Sequence, residues 1–484
     1  MTIAVQKAEP IETRLFINNK FRNSSSSKTF DVISPYTKEV VAQVQEADLK
    51  DVDDAVAAAN AAFPAWRDLG VEQRGVYLRK ISNLFLEASD ELGKLESRCT
   101  GRPVSQIMDA TYSADVFRYF SDHAWSVQGT ASNNTPGITK LTTEEPYGVA
   151  ALIIPWNAPL CSFSMKIAPA LAAGNTVVLK SSEKAPLTSL YAAKFFIEAG
   201  FPPGVVNILS GFGNLSGAAL AAHMSVRCLS FTGSSLTGQK IQAASANSNM
   251  KNLHMELGGK SPSVVFEDAD LESAAQQTQF SIKYLSGQTC FASSRVYVQE
   301  TVAERFLQLF RENFADVKMG DPLDPKTSHG PQIDQAQYTR VKNYLGIGEK
   351  DGDLTVGGNA GDGFFIKPTI IERVPEDSRL IKEEVFGPVV AINTFKTEEE
   401  AIEKANNTEF GLYAAVFTKD IDRAMRMSRA LEAGTVCVNC TSPTMVKDAA
   451  FGGWKMSGIG REGYLNTIGN FLQTKSILIK AGNI

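Results

Sequence analysis

Cys290 is the residue with the greatest chemical potential in the chain. It stands in Ser-Gly-Gln-Thr-Cys-Phe-Ala-Ser-Ser-Arg, residues 286–295. A cysteine after a glycine-containing loop and near a helix start can have its thiol pKa lowered by backbone N–H groups, which makes it a nucleophile. The alternative is an inert buried thiol, the commoner fate of a cysteine, and the local sequence by itself favours it. Glu256 lies in His-Met-Glu-Leu-Gly-Gly-Lys-Ser-Pro, residues 254–262. A carboxylate at a strand-to-turn junction facing a cleft could serve as a general base; the plainer reading is a capping or surface acid. The Gly-Gly-Lys-Ser of this segment is not a P-loop, because the position five before the second glycine holds His254.

Three further segments suit anion or nucleotide binding. Phe231-Thr-Gly-Ser-Ser-Leu-Thr-Gly follows an apolar run and opens a helix-like stretch, so backbone N–H groups and Ser234 can face a pyrophosphate. Gly211-Phe-Gly213 does the same one unit earlier, and neither matches the G-x-G-x-x-G fingerprint. Lys180 and Glu183, at the end of TVVLK, could hold an adenosine ribose. Pro155-Trp-Asn-Ala-Pro159 is a rigid turn that could fix the Asn157 amide as an oxyanion donor, or simply a proline-bounded turn.

The elements that must position these residues follow from periodicity. Val52, Val56, Ala59 and Phe63 recur at helical spacing behind Asp48 as N-cap, and Leu78, Ile81 and Phe85 mark a second amphipathic helix. From Val149 the rhythm changes. Apolar runs at 149–154, 176–180, 205–210 and 227–231 alternate with helical stretches, the signature of βαβ units and a parallel sheet. A second series runs through 261–266, 295–299, 388–395, 413–418 and 434–439, with 317–371 read mainly as loops. The tail 471–479 reads as a lone strand able to pair with 139–145. Ligands bind beyond the C-terminal ends of parallel strands, which is where the segments above fall.

Composition narrows the classes. The 484 residues carry 48 Lys+Arg and 53 Asp+Glu, a net charge of −5, with no basic footprint for nucleic acid or anionic membrane. No apolar run reaches membrane-spanning length. The N-terminus lacks a signal-peptide core, Glu9 and Glu12 argue against a mitochondrial leader, and Gly-Asn-Ile at the end is not a peroxisomal signal. A cytoplasmic protein is expected. Six sparse cysteines, among them a lone Cys437-Val-Asn-Cys440, suggest reduced thiols; four histidines without ligand spacing give no expectation of a metal.

Taken in order, Pro155-Trp-Asn157, Lys180-Ser-Ser-Glu183, Phe231-Thr-Gly-Ser234, Glu256-Leu-Gly-Gly-Lys, Gly287-Gln-Thr-Cys290, Glu384-Val-Phe-Gly-Pro388 and Phe451-Gly-Gly-Trp-Lys-Met-Ser-Gly458 resemble the aldehyde dehydrogenase superfamily over essentially the whole chain. The ordered set reverses the local preference at Cys290 and Glu256. The resemblance implies an α/β fold: a Rossmann-like cofactor domain (1–127 and 147–257), an α/β catalytic domain (258–455) and a small β oligomerisation arm (128–146 and 456–484) that makes a homodimer or homotetramer. It implies NAD(P)+-dependent oxidation of an aldehyde to a carboxylic acid. Cys290 would be the nucleophile, Asn157 and the Cys290 N–H the oxyanion donors, Glu256 the base for the hydrolytic water, and Lys166 and Glu462 its proton relay. Lys180 and Glu183 would hold the adenosine ribose, Ser234 the pyrophosphate, Glu384 the nicotinamide ribose, and Phe386 would flank the nicotinamide; Pro155, Trp156, Gly213, Phe231, Gly233 and Leu257 complete the cofactor set. NAD is expected over NADP, since Glu183 repels a 2′-phosphate.

The family's tunnel positions correspond to Ala158, Ser162, Met165, Tyr284, Phe291, Met445 and Phe451. None is Lys or Arg, so an uncharged, apolar or aromatic aldehyde is expected, with Arg295 able in principle to turn inward. The chain departs from the family at Ala158, where an aromatic is frequent, at Met165, at Ala450 before Phe-Gly-Gly, and at Gly463-Tyr464 after Arg461-Glu462. Two rivals share the fold. A CoA-acylating enzyme typically lacks the glutamate base, which is present here, and a catalytically silent structural protein has no need of Cys290, Asn157, Glu256 and Glu384 together.

Overall fold

The computed structural model describes residues 11–480 apart from 313, 359, 360 and 445. The leader and targeting readings at residues 1–10 and 481–484, and the tunnel position Met445, lie outside the described residues.

Two parallel sheets carry the chain. The first has eight strands in the order Lys20–Arg22, Leu15–Ile17, Val206–Leu209, Thr176–Lys180, Val149–Ile153, Val226–Thr232, Asn252–Glu256, Gly458–Ile459. Its five middle strands are parallel, and the contacts to 15–17 and 458–459 at its two sides are antiparallel. Val149–Ile153 and Thr176–Lys180 are buried at every residue, because helices cover both faces. That is why they read as unbroken apolar runs rather than alternating ones. The chain order turns back at Val149–Ile153, which has 176–180 on one side and 226–232 on the other. Such a reversal opens a crevice at the strands' C-terminal ends.

The second sheet has seven strands in the order Asp353–Val356, Thr369–Glu372, Val389–Phe395, Arg295–Gln299, Pro262–Val265, Tyr413–Phe417, Thr435–Val438. All neighbours are parallel except the edge strand 353–356. Residues 317–371, read as loops, contain strands 353–356 and 369–372 and the helix Gln335–Asp351. Gly346 and Gly348 weaken the helical signal there. Gly348 is needed because a Cβ would lie 2.1 Å from Ile371 Cδ1.

The tail Leu472–Lys480 pairs antiparallel with Ile138–Pro146 along nine residues. Ala131–Thr135, a polar segment without periodicity, adds a third strand on the far side. Residues 473–480 are exposed, including Ile477, Leu478 and Ile479.

Among the helices, Leu49–Asp68 begins at Asp48 with a reciprocal capping box to Asp51, and its Val52, Val56 and Ala59 are buried. No helix among the described residues is long and apolar enough to cross a membrane.

Candidate active site

The loop carrying Cys290 is held in an uncommon conformation. After the helix Leu271–Lys283, residues Leu285, Ser286 and Gly287 have φ of 50°, 53° and 74° in succession. Left-handed backbone costs side-chain-bearing residues free energy, so outside contacts must enforce it. Ser286 Oγ donates to Gly330 O at 2.9 Å and accepts from Gly330 N–H at 3.1 Å. Gln288 Oε1 accepts the Ile333 N–H at 2.9 Å. Only glycine fits at 287, because a Cβ would lie 2.1 Å from the Gly387 carbonyl carbon.

The Gly-Gly turn after Glu256 brings its strand against this loop. A Cβ on Gly259 would sit 2.2 Å from Cys290 O, and one on Gly258 would sit 2.5 Å from a Glu384 carboxylate oxygen. Those glycines are therefore set by close approach. Glu384 is tethered there, its Oε1 accepting the Gly259 N–H at 2.9 Å; burial raises its pKa and that bond partly offsets the rise.

Asn157 leaves the C-terminal end of Val149–Ile153 and reaches the same point. Its Nδ2 donates to Gln288 O at 3.0 Å, two residues before the cysteine, and its own carbonyl accepts from Arg102 at 3.4 Å. An amide NH2 has two donors, so one remains for an oxygen held near Cys290.

Glu256 is buried, and its Oε1 has no hydrogen-bond partner among the described residues. Burial pushes its pKa up to about 8, and the Cys290 thiol beside it pulls in the opposite direction. The thiol is itself pushed well above the ordinary range, by burial first and then by Glu256. The carboxyl disfavours ionisation of the thiol while the thiol favours ionisation of the carboxyl, so the pair is poised to share one proton.

Behind Glu256 lies a second buried pair. Lys166 Nζ donates to Glu462 Oε1 at 2.6 Å and to Ser230 Oγ at 2.9 Å. Glu462 raises the Glu256 pKa and Lys166 lowers it, so both lie within electrostatic reach. Ser230 pairs in register with His254, and Thr232 with Glu256, which sets His254 and Glu256 on one face of their strand. Burial, then Lys166, pushes the His254 imidazole down to about 4.

The crevice side collects the expected cofactor residues. Lys180 Nζ donates to Ser181 O at 2.9 Å and lies 3.8 Å from Glu183; burial lowers its pKa to about 8. Gly213 opens the turn Gly213–Gly217 beyond Val206–Leu209. Phe231 is buried in its strand, and the Gly233 N–H donates to Glu256 O at 3.1 Å. Ser234 caps the helix Ser235–Ala246, accepting the Thr237 N–H. The Leu257 N–H is bonded to Ser457 O. Trp156, after Pro155, meets Phe386 edge to face at 5.4 Å, and Phe386 has a left-handed φ of 60°. Glycine turns, a capped helix N-terminus and a Lys–Glu pair at parallel strand ends fit a dinucleotide.

The expected tunnel positions divide. Met165 and Phe451 line a cavity of about 290 Å3, together with Tyr112, Tyr413 and Tyr464. Phe291 packs edge to face on Phe451 at 6.0 Å without joining that wall. Ala158 and Ser162 stand at the start of helix Pro159–Ala172, and Tyr284 packs against Phe280; none of the three lines the cavity. Arg295 turns away. Its Nε donates to Lys260 O at 2.9 Å and its Nη2 to Ala405 O at 2.8 Å, so it supplies no cation to a substrate.

Sequence reasoning missed the group that steadies Asn157. Arg102 forms a fork with Asp109 at 2.8 and 2.9 Å and reaches Glu96 at 3.3 Å, all three buried. No local motif announces it; the one signal is that Glu96 falls on the apolar face of helix Ser89–Thr100, beside Leu92 and Leu95.

The comparisons with known proteins agree with this architecture. The sequence model of the aldehyde dehydrogenase family matches residues 21–477. An aldehyde dehydrogenase of Davidiella tassiana is 46% identical over 477 residues, covering 97% of this chain and 96% of that protein. Retinal dehydrogenase 2 of Homo sapiens is 43% identical, covering 97% and 92%. A solved indole-3-acetaldehyde dehydrogenase in complex with NAD+ superposes with a TM-score of 0.95 at 38% identity, covering 97% of each chain. The chain belongs to the aldehyde dehydrogenase family. It is an oxidoreductase of the aldehyde dehydrogenase type with a nicotinamide nucleotide as cofactor.

Proposed function

We propose that the protein oxidises an uncharged, apolar or aromatic aldehyde to the carboxylic acid with NAD+, through a covalent bond to Cys290. Glu256 takes the thiol proton, and the sulfur adds to the aldehyde carbon to give a thiohemiacetal. The Asn157 amide and the Cys290 N–H hold the resulting oxyanion. When bound, the cofactor supplies the hydride acceptor, and the carbon is left as a thioester. Glu256 then removes a proton from water, the water oxygen attacks the thioester, and the sulfur leaves as the acid forms. Lys166 and Glu462 carry the proton away from Glu256. Lys180 and Glu183 bind the adenosine ribose, Ser234 lies by the pyrophosphate, and Glu384 and Phe386 orient the nicotinamide half, with Pro155, Trp156, Gly213, Phe231, Gly233 and Leu257 shaping the crevice.

The observation that carries this reading is the partnerless Glu256 oxygen next to Cys290. A buried carboxyl oxygen without a donor is costly in a purely structural role. On the same reading residues 1–127 with 147–257, 258–455, and 128–146 with 456–484 act as cofactor domain, catalytic domain and assembly arm. The exposed strand Leu472–Lys480 would be covered in a homodimer or homotetramer, since open edges invite pairing. Six free cysteines accord with a reducing, cytoplasmic setting.

The test is NADH formation with benzaldehyde, a medium-chain aliphatic aldehyde and succinic semialdehyde. The first two should give the higher kcat/KM. A clear win for the semialdehyde would overturn the uncharged-substrate reading, and no NADH with any aldehyde would overturn the reaction. Light scattering at micromolar concentration that showed only monomer would remove the arm from its role.

A further inference from the structure

The cavity of about 290 Å3 beside the nucleophile loop does not contain Cys290 in its wall. Phe291, the next residue, packs on the wall residues Phe451 at 6.0 Å and Tyr413 at 6.2 Å. The Phe291 ring therefore links the cavity wall to the residue after Cys290. Three of the four positions where this chain departs from the family pattern, Met165, Ala450 and Gly463-Tyr464, lie in its wall. Its volume is close to the lower end of small-molecule sites, about 300 Å3.

Two hydroxyls of that wall, those of Thr435 and Tyr464, have no hydrogen-bond partner among the described residues, and Tyr464 is the more deeply buried of the two residues. Tyr464 is only 7% exposed, and its hydroxyl has no hydrogen-bond partner among the described residues. A buried hydroxyl left unpaired is destabilising, so it marks a place for a polar atom. Burial keeps the phenol neutral, pushed up to about 12, so it can both donate and accept. The one cation in the wall, Lys447, is committed: it pairs with Asp115 at 2.9 Å and lies over the Tyr464 ring at 5.8 Å. An anionic tail finds no free charge there.

We propose that this chamber is a subsite for the far end of the aldehyde and that Tyr464 selects an aromatic aldehyde bearing a hydroxyl or ether oxygen on the ring remote from the carbonyl. This rests on the aldehyde oxidation proposed above. Met165, Tyr413 and Phe451 supply the faces for the ring, and Tyr464 the hydrogen bond that an unsubstituted ring leaves unmade. Sites built around a hydrogen bond discriminate more sharply than apolar walls do.

The matched pair 4-hydroxycinnamaldehyde and cinnamaldehyde tests it, with propanal as a substrate too short to reach the chamber. The wild-type protein should prefer the hydroxylated member by about tenfold in kcat/KM. Tyr464→Phe should erase that preference and leave cinnamaldehyde and propanal unchanged. Ala449→Phe, which fills the chamber, should raise KM for both cinnamaldehydes and spare propanal. A preference that survives Tyr464→Phe overturns the selection by its hydroxyl; an unchanged KM in Ala449→Phe overturns the subsite. Failure of the wild type to oxidise any of the three, propanal included, would instead strike the underlying reaction, and the subsite with it.

Discussion

Two buried ionic groups, one containing Arg102 and the other Lys166 of helix Pro159–Ala172, contain the same ingredients. One has Arg102 with Asp109 and Glu96; the other has Lys166 with Glu462 and Glu256. Each has one cation for two carboxyls, so each leaves one carboxyl in excess. The excess carboxyl keeps its proton in both, and there the likeness ends. Glu96 lies against Asp109, and burial and that neighbour drive it far above the carboxylate range. Asp109 is pushed up by burial, but the Arg102 fork outweighs this and keeps it ionised. That group is locked, and it fixes the Asn157 backbone. Glu256 is displaced only to about 8 and faces a thiol. On the proposed mechanism, the difference is that an excess buried carboxyl becomes chemical when its proton can leave near the working pH and has somewhere to go.

The sharpest way to break this contrast is at the thiols. Cys290→Ala should lower turnover by about 10^4-fold or more while NAD+ binding, followed by fluorescence quenching, persists. Cys161, which touches Asp109 of the locked group, should tolerate alanine within a few-fold. Near-wild-type turnover in Cys290→Ala would end the assignment. Next come the excess carboxyls. Glu256→Gln should slow steady-state turnover by about 10^2- to 10^4-fold and leave a burst of NADH in stopped flow as thioester accumulates. Glu96→Gln should change kcat little, because burial and Asp109 hold the group it replaces in its neutral form. Equal losses in the two variants would erase the distinction.

The cations give a finer test. Glu256 is inactive as a base while protonated, so turnover limited by thioester hydrolysis should rise with pH to a plateau above about 8. Lys166 lowers that midpoint, so Lys166→Met should move it upward, and a downward or absent shift in the pH–rate profile would contradict the coupling. The smallest effect is expected at a third cation–carboxylate site, the buried Lys180 with the half-buried Glu183. Glu183→Gln should narrow the NAD+ over NADP+ preference by about tenfold in kcat/KM. A wild-type advantage for NADP+ would take Glu183 out of this role.

Much of the scaffold was legible because it lies in contiguous segments. The doubly covered strands 149–153 and 176–180 write themselves as apolar runs, and Asp48 announces its helix. The ordered motifs at strand ends located Asn157, Glu256 and Cys290. What stayed hidden is tertiary. Arg102, Asp109 and Glu96 look like ordinary helix-surface charges until distant segments close over them. The polar strand Ala131–Thr135 exists only because 138–146 offers it an edge. The reasons for Gly258 and Gly259 are likewise atoms of Glu384 and Cys290, far away in the chain. Periodicity reports burial along one element and is silent about which partner buries it.

The masked sulfur of Cys290 bears on how the protein weathers a hostile medium. Alkylating agents and peroxide both consume thiolate, and the resting protein holds the Cys290 sulfur protonated and half-buried beside a carboxyl. Electrophiles that deplete exposed, acidic cysteines should therefore spare it at neutral pH, and inactivation by iodoacetamide should accelerate only as alkali draws the proton off. An enzyme whose substrates are themselves reactive electrophiles gains from a nucleophile that stays latent until a carbonyl is seated against it.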